Sequence, residues 1–172
     1  MLGFIGLQVL LGLLYVAIQC AAGDLKADYQ KYQEKLKQET NPVGKTKALI
    51  KMSEIDLKEA LAQVQAGNLD DADKYLTRYI GVIHQASEVL KNSNRNAQKN
   101  PAGFREFEIS LHLQLRKLND LREYYAYDQQ QIIGKAAEVA RRAQQDMLLA
   151  IFGPENIRKP EEKKGNQPKE TK

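Results

Sequence analysis

Apolar residues recur at the spacing of an α-helix along most of the chain. From residue 69 to residue 90, apolar side chains alternate separations of three and four positions for three heptads, which places them on one face of a helix. Similar stripes run over residues 24–39, 42–66, 101–125 and 128–152. In the fourth stripe the expected buried residues are Phe104, Phe107, Leu111, Leu115, Leu118 and Leu121. The pattern predicts an all-α fold of about five helices, packed as antiparallel hairpins in a bundle or in a short helical-repeat-like array.

Residues that favour helix starts lie between these stripes. Asn41-Pro42 and Asn100-Pro101 each predict an N-cap followed by proline at the first helical position, where the missing N–H costs nothing. Asn68 is expected to cap the third helix. Asp128, with Gln131 three positions later, predicts a capping box at the start of the fifth helix.

Glycines mark two of the expected helix ends. Gly67 predicts the end of the second helix, and Gly153 before Pro154 predicts the end of the fifth. Glycine suits both positions because it accepts the left-handed backbone at a helix C-terminus without strain. Since only Gly67 and Asn68 connect them, the second and third helices are expected to be antiparallel neighbours.

The N-terminal segment differs from the rest of the chain. Its first 22 residues contain no charged side chain, and residues 2–18 are almost continuously apolar. Small residues follow up to Ala22, and a charged segment begins at Asp24. This order predicts a signal peptide over residues 1–22 and export to the periplasm or the extracellular space. Two alternatives stay open: an uncleaved membrane anchor, and a lipoprotein with its lipid on Cys20.

The composition of the 172 residues suits one folded domain. They hold 26 Lys and Arg against 22 Asp and Glu, a net charge of +4. Because this surplus is spread along the chain, a nucleic-acid partner is not expected. The single cysteine excludes an internal disulfide framework. Residues 154–172 are rich in Lys, Glu, Pro and Gly, so we predict a helical domain over 23–153 and a disordered charged tail over 154–172.

The residues that resemble catalytic or metal-binding motifs lack the context that those motifs need. Gly44-Lys45-Thr46 matches the end of a phosphate-binding loop, but Glu39 stands where the first glycine of that loop belongs. Neither His84 nor His112 has a glutamate three positions before it, as the Glu-x-x-His pairs of di-iron bundles require. The serines lie in no Gly-x-Ser-x-Gly turn. We therefore expect no enzymatic activity, no cofactor and no metal site.

One aromatic cluster is the candidate interaction surface. Tyr124, Tyr125 and Tyr127 follow Arg122 at the junction between the fourth and fifth helices. Tyr and Arg are enriched at the centres of protein interfaces. The alternative is that one tyrosine packs beneath the loop while the others shield its edge, because amphipathic rings suit half-buried positions.

The second and third predicted helices resemble part of a tetratricopeptide repeat, through the residues Ala60, Gly67, Ala72 and Leu76. In that family small residues let two helices cross closely. The stretch 48–90 is also similar to helical hairpins of uncharacterised secreted bacterial proteins that are known only as domains of unknown function. These resemblances imply a helical hairpin and a bacterial cell envelope, and they carry over no functional residue.

These observations predict an exported, cell-envelope-associated helical protein that acts as a non-catalytic protein-interaction module. Its expected partner is another protein, and contact with a membrane is expected only through an uncleaved N-terminal segment. The alternative is a periplasmic ligand- or metal-binding helical bundle of the stress or chaperone type.

Overall fold

The computed structural model describes residues 25–154. Five helices follow in order: α1 over 25–38, α2 Pro42–Gln65, α3 Leu69–Lys91, α4 Phe104–Arg122 and α5 Gln131–Phe152. A short 3₁₀ turn, Tyr127–Gln129, precedes α5. No strand occurs among these residues, so the predicted all-α fold is confirmed. The predictions of a signal peptide and of a disordered tail fall outside the described residues.

Four of the helices form a closed bundle. Helix α2 packs against α3 and α4, and α5 packs against the same two helices, so the four surround one common core. The largest fully buried side chains come from all four helices: Leu49, Leu57, Leu76, Tyr79, Ile83, Leu90, Phe107, Leu111, Leu118, Leu121, Ile133 and Met147. Each belongs to an apolar stripe that faces inward, as amphipathic helices require. The helices therefore close into a bundle, and the open repeat-like array is excluded.

Helix α1 lies outside this ring. Its Tyr29, Tyr32 and Leu36 are partly buried against the core. A three-residue connection joins α1 to the start of α2, so α1 runs back along the outer surface of α2. Tyr29 also reaches Arg78 of α3, whose guanidinium carbon lies 3.9 Å from the centre of the tyrosine ring. Helix α1 thus covers part of α2 and of α3.

The connection between α3 and α4 crosses one end of the bundle. Residues 92–103 contain no helix, and Ala97 within them is buried. The crossing brings Gly103 beside Val43 at the start of α2 and Leu90 at the end of α3. The last residue of this connection lies beside α2 and α3, and this position is where α4 begins.

The start of α4 differs from its prediction. The helix begins at Phe104 after the N-cap Gly103, whose φ is +90°, and not at Pro101. The carboxylate of Glu106 accepts a hydrogen bond of 2.6 Å from the Gly103 N–H, and this bond caps the helix in place of an asparagine side chain. At its other end α4 stops at Arg122, short of the predicted Tyr125.

The remaining helix ends are partly as predicted. The Asn41 side chain accepts a hydrogen bond of 2.9 Å from the Val43 N–H, and Gly67 and Gly153 both adopt positive φ, so these three predictions are confirmed. The capping box at Asp128 is wrong, because that residue lies in the 3₁₀ turn and no side chain caps α5. Asn68 occupies its N-cap position, but its side chain makes no capping hydrogen bond; its amide nitrogen donates to Gln63 Oε1.

The positive φ of Gly103 leads to a stability prediction. We expect Gly103→Ala to destabilise the fold by about 1–3 kcal/mol, because φ near +90° is strained for any residue with a Cβ. The new Cβ would also lie 3.1 Å from Leu90 Cδ2. Chemical denaturation of the purified variant measures the loss.

Gly81→Ala is the matched control for this variant. Gly81 lies within α3, and a Cβ there meets no atom of the described part of the chain within 4 Å. Alanine is the better helix former by up to about 1 kcal/mol, so this variant should gain stability. Equal effects of the two substitutions would contradict the conformation assigned to Gly103.

Candidate functional site

A groove of about 480 Å³ lies on the outer surface of α2. Tyr32 of α1 forms one wall, Ile109 and Leu113 of α4 form the other, and Ala48 and Ile50 of α2 form the floor. The groove lies where residues of α1, α2 and α4 come together. Its volume is within the range of small-molecule binding sites, about 300–1,000 Å³. We call it the α1–α4 groove.

The α4 wall carries two exposed aliphatic side chains. Ile109 is 48% exposed and Leu113 is 52% exposed, and their separation of four residues places them one above the other on the helix. They point away from the buried side of α4, where Phe107, Leu111 and Leu118 are fully covered. Contiguous exposed apolar surface is a feature of contact surfaces on soluble proteins, and these two side chains contribute such surface to the α4 wall.

Charged residues surround this apolar surface. Lys35, Lys47 and Lys51 line the groove together with Glu54 and Glu106. Lys51 Nζ lies 2.9 Å from Glu54 Oε2, and Lys47 Nζ lies 4.0 Å from Glu106 Oε1. The hydrogen bond from Lys51 to Glu54 raises the pKa of the Lys51 amine. Three lysines therefore face two carboxylates, and the groove carries a surplus of positive charge.

A buried hydrogen-bond network fixes α4 against α2 beside the groove. The Gln114 side-chain amide donates to Ser53 Oγ and to Ser110 Oγ, both at 2.8 Å. Ser53 Oγ in turn donates to the Ile50 carbonyl at 2.8 Å. Since buried polar groups are costly when they lose a partner, this network favours one position of α4. The wall that carries Ile109 and Leu113 is therefore held in place.

The α1 wall is held by a second polar cluster. Arg78 of α3 lies 2.5 Å from the buried Asp56 carboxylate of α2. The same guanidinium stacks on Tyr29 of α1, and its carbon lies 4.9 Å from the ring centre of Tyr75. Cations gain electrostatic energy on aromatic faces. One arginine thus joins α1, α2 and α3.

The electrostatics of this cluster are dominated by burial. Burial raises the pKa of Asp56 to about 7, although the hydrogen bond and charge of Arg78 act in the opposite direction. Asp56 Oδ2 is buried and has no hydrogen-bond partner among residues 25–154. Burial also raises the pKa of Glu59. Burying a carboxylate disfavours its charged form, so Asp56 changes its charge close to neutral pH.

The four residues of the predicted interaction surface differ in their exposure. Tyr125 is buried and its hydroxyl donates to Asp73 Oδ1 at 2.9 Å; burial raises the pKa of this hydroxyl. Tyr124 is half-exposed, and Tyr127 is 91% exposed. Arg122 Nε donates to Gln130 Oε1 at 2.7 Å. Tyr125 therefore offers no exposed ring, and only Tyr124 and Tyr127 present aromatic surface there.

The residues considered for catalysis or metal binding occupy ordinary helical positions. Gly44-Lys45-Thr46 lies within the first turns of α2, where the Thr46 hydroxyl donates to the Pro42 carbonyl. His84 and His112 are exposed on α3 and α4. Within residues 25–154, no group of three His, Cys, Asp or Glu side chains is placed to hold a metal ion.

Sequence reasoning missed the α1–α4 groove and the Asp56–Arg78 pair. A signal for the groove was present, since Ile109 and Leu113 lie outside the apolar stripe of the fourth helix. The ion pair joins residues 22 positions apart in sequence. The only local signal for this pair is Asp56 itself, an acidic residue three positions after Ser53 at the border of the buried apolar stripe of α2.

Comparison with protein-family models, with curated proteins and with solved structures finds no match to this chain. Among residues 25–154, no helix is both long enough and apolar enough to cross a membrane.

Proposed function

We propose that this chain is an exported, cell-envelope-associated helical protein that binds another protein through the α1–α4 groove and catalyses no reaction. The observation that carries the proposal is the pair Ile109 and Leu113, which stay about half exposed beside a groove with an apolar floor. Covering such surface removes apolar side chains from water, which favours association.

The proposal of export rests on residues 1–22, an uncharged and largely apolar segment that ends in small residues. We expect the protein isolated from its native cells to begin after Ala22. Intact-mass measurement checks this. A mass that includes residues 1–22 would indicate a retained anchor, and an added lipid on Cys20 would indicate a lipoprotein; both results contradict simple cleavage.

The groove is tested by placing a photoreactive phenylalanine analogue at Leu113 in intact cells. We expect a covalent adduct with one defined protein, and we expect Ile109→Ser to reduce its yield by about tenfold, as for a central interface residue. The matched control places the same analogue at Leu149, which is 43% exposed on α5. Repeating the reaction with the purified partner shows whether binding is direct.

Equal adduct yields from the analogue at Leu113 and at Leu149 would contradict the proposal, because both adducts would then arise from random encounters. A saturable thermal shift with a metal ion or a small molecule, unchanged by Ile109→Ser, would favour the ligand-binding bundle instead. Such a shift is expected of any ligand that binds the native state alone.

A further inference from the structure

We propose that the segment bound in the α1–α4 groove is an amphipathic helix whose apolar stripe is flanked by acidic residues. This inference rests on the proposed function and names the class of partner. It follows from the shape of the groove, from its charge and from the way its walls are held.

The shape of the groove suits a helix. The α2 residues that line it run from Lys47 to Glu54, and the α4 residues run from Glu106 to Leu113, so each lining segment is about 10 Å long at 1.5 Å per residue. Ile109 and Leu113 are one turn apart, which matches apolar residues repeating every three or four positions on a facing helix. Residues 25–154 contain no sheet edge that an extended peptide would need for strand addition.

The charges around the groove select an acidic partner. Glu54 and Glu106 each have a lysine within 4.0 Å. Lys35 is exposed and makes no ion pair with any other described residue. A carboxylate on the edge of a bound helix would find this free amine beside Tyr32, whereas a basic edge would meet like charge. Charge complementarity of this kind governs specificity and the rate of association.

Both walls are positioned before any partner binds. The Ser53–Gln114–Ser110 network holds α4, and the contacts of Arg78 with Asp56 and Tyr29 hold α1. A partner helix therefore docks without ordering these elements first. Preorganisation of this kind lowers the entropic cost of association.

The test uses synthetic helical peptides and the purified protein. One peptide carries leucines every three or four positions with glutamates beside the stripe, and its matched peptide carries lysines at the same positions. Fluorescence anisotropy measures the dissociation constants at low and high salt. We expect the acidic peptide to bind about tenfold more tightly, a difference of about 1.4 kcal/mol, and to weaken as salt is added.

Variants assign this binding to the groove. Ile109→Ser with Leu113→Ser should weaken the acidic peptide by about tenfold or more, and Lys35→Glu by about three- to fivefold. The matched controls Leu149→Ser and Lys135→Glu change exposed residues of α5 and should leave the affinity unchanged. Melting curves of all four variants confirm that the substitutions leave the fold intact.

Several results would overturn the inference. Equal affinity for the two peptides would contradict the preference for an acidic partner. Tighter binding of dodecanoate than of either peptide would indicate that the groove binds an anionic amphiphile instead of a helix. A Leu113 adduct between two copies of this chain would indicate self-association. If Leu113 forms an adduct with another protein while neither peptide binds, this inference fails and the proposed function stands. If Leu113 forms no specific adduct, the proposed function fails as well.

Discussion

Raising the pH from 4 to 8 is expected to lower the free energy of unfolding by about 4 kcal/mol through Asp56 alone. The pKa of an aspartate carboxyl in the unfolded chain is near its ordinary value of 3.8, whereas burial raises the pKa of Asp56 in the folded state to about 7. Between these values the folded state binds more protons than the unfolded state, so stability falls as the pH rises. The stabilisation by Asp56 is complete below about pH 4 and lost above about pH 7. Its size follows from the difference between the two pKa values, at about 1.36 kcal/mol for each pKa unit.

Urea unfolding across this pH range measures the effect. Asp56→Asn keeps the size of the side chain and an oxygen that accepts from Arg78, and it removes the titration, so most of the slope between pH 4 and 7 should disappear. Asp71→Asn is the matched control, because Asp71 is an exposed carboxylate whose pair with Lys74 is open to solvent. A wild-type profile that rises with pH over this range would contradict the assignment of Asp56.

Leu76→Ala is expected to lower the free energy of unfolding by about 2–5 kcal/mol, because the side chain is fully buried at the centre of α3 and its loss leaves a cavity. Denaturant titration of the variant measures this loss directly. Gln85→Ala changes an exposed position on the same helix, and its effect should stay within about 0.5 kcal/mol. Equal small losses in both variants would show that α3 does not bury the predicted face.

The sequence by itself determined the helices and their buried faces. Separations of three and four residues place Leu76, Ile83 and Leu90 on one side of α3, and all three are fully buried. The start of α2 was also readable, because Asn41 caps the helix through a residue only two positions away. Such features depend on contacts within one or two helical turns, so they are visible in a single stretch of sequence.

Helix boundaries were less predictable where local signals competed. Asn100-Pro101 has the same cap-and-proline pattern as the start of α2, but α4 begins after Gly103. There the connection crosses the end of the bundle, and Glu106 satisfies the backbone N–H of Gly103. At Asp128 the chain forms a 3₁₀ turn instead of a capped helix start, while the Gln130 side chain donates to the Tyr125 carbonyl.

Only the tertiary structure decided which residues form the candidate site. Tyr125 is buried and not exposed on the predicted surface, and its hydroxyl donates to Asp73, 52 positions away in the chain. Asp56 meets Arg78 across two helices, and the α1–α4 groove requires Tyr32 and Leu113 to lie on either side of α2. The periodicity of apolar residues indicates which face of a helix is apolar, but it does not indicate which neighbouring helix covers that face. The closing of the bundle left Ile109 and Leu113 uncovered, and this arrangement depends on contacts between segments distant in sequence.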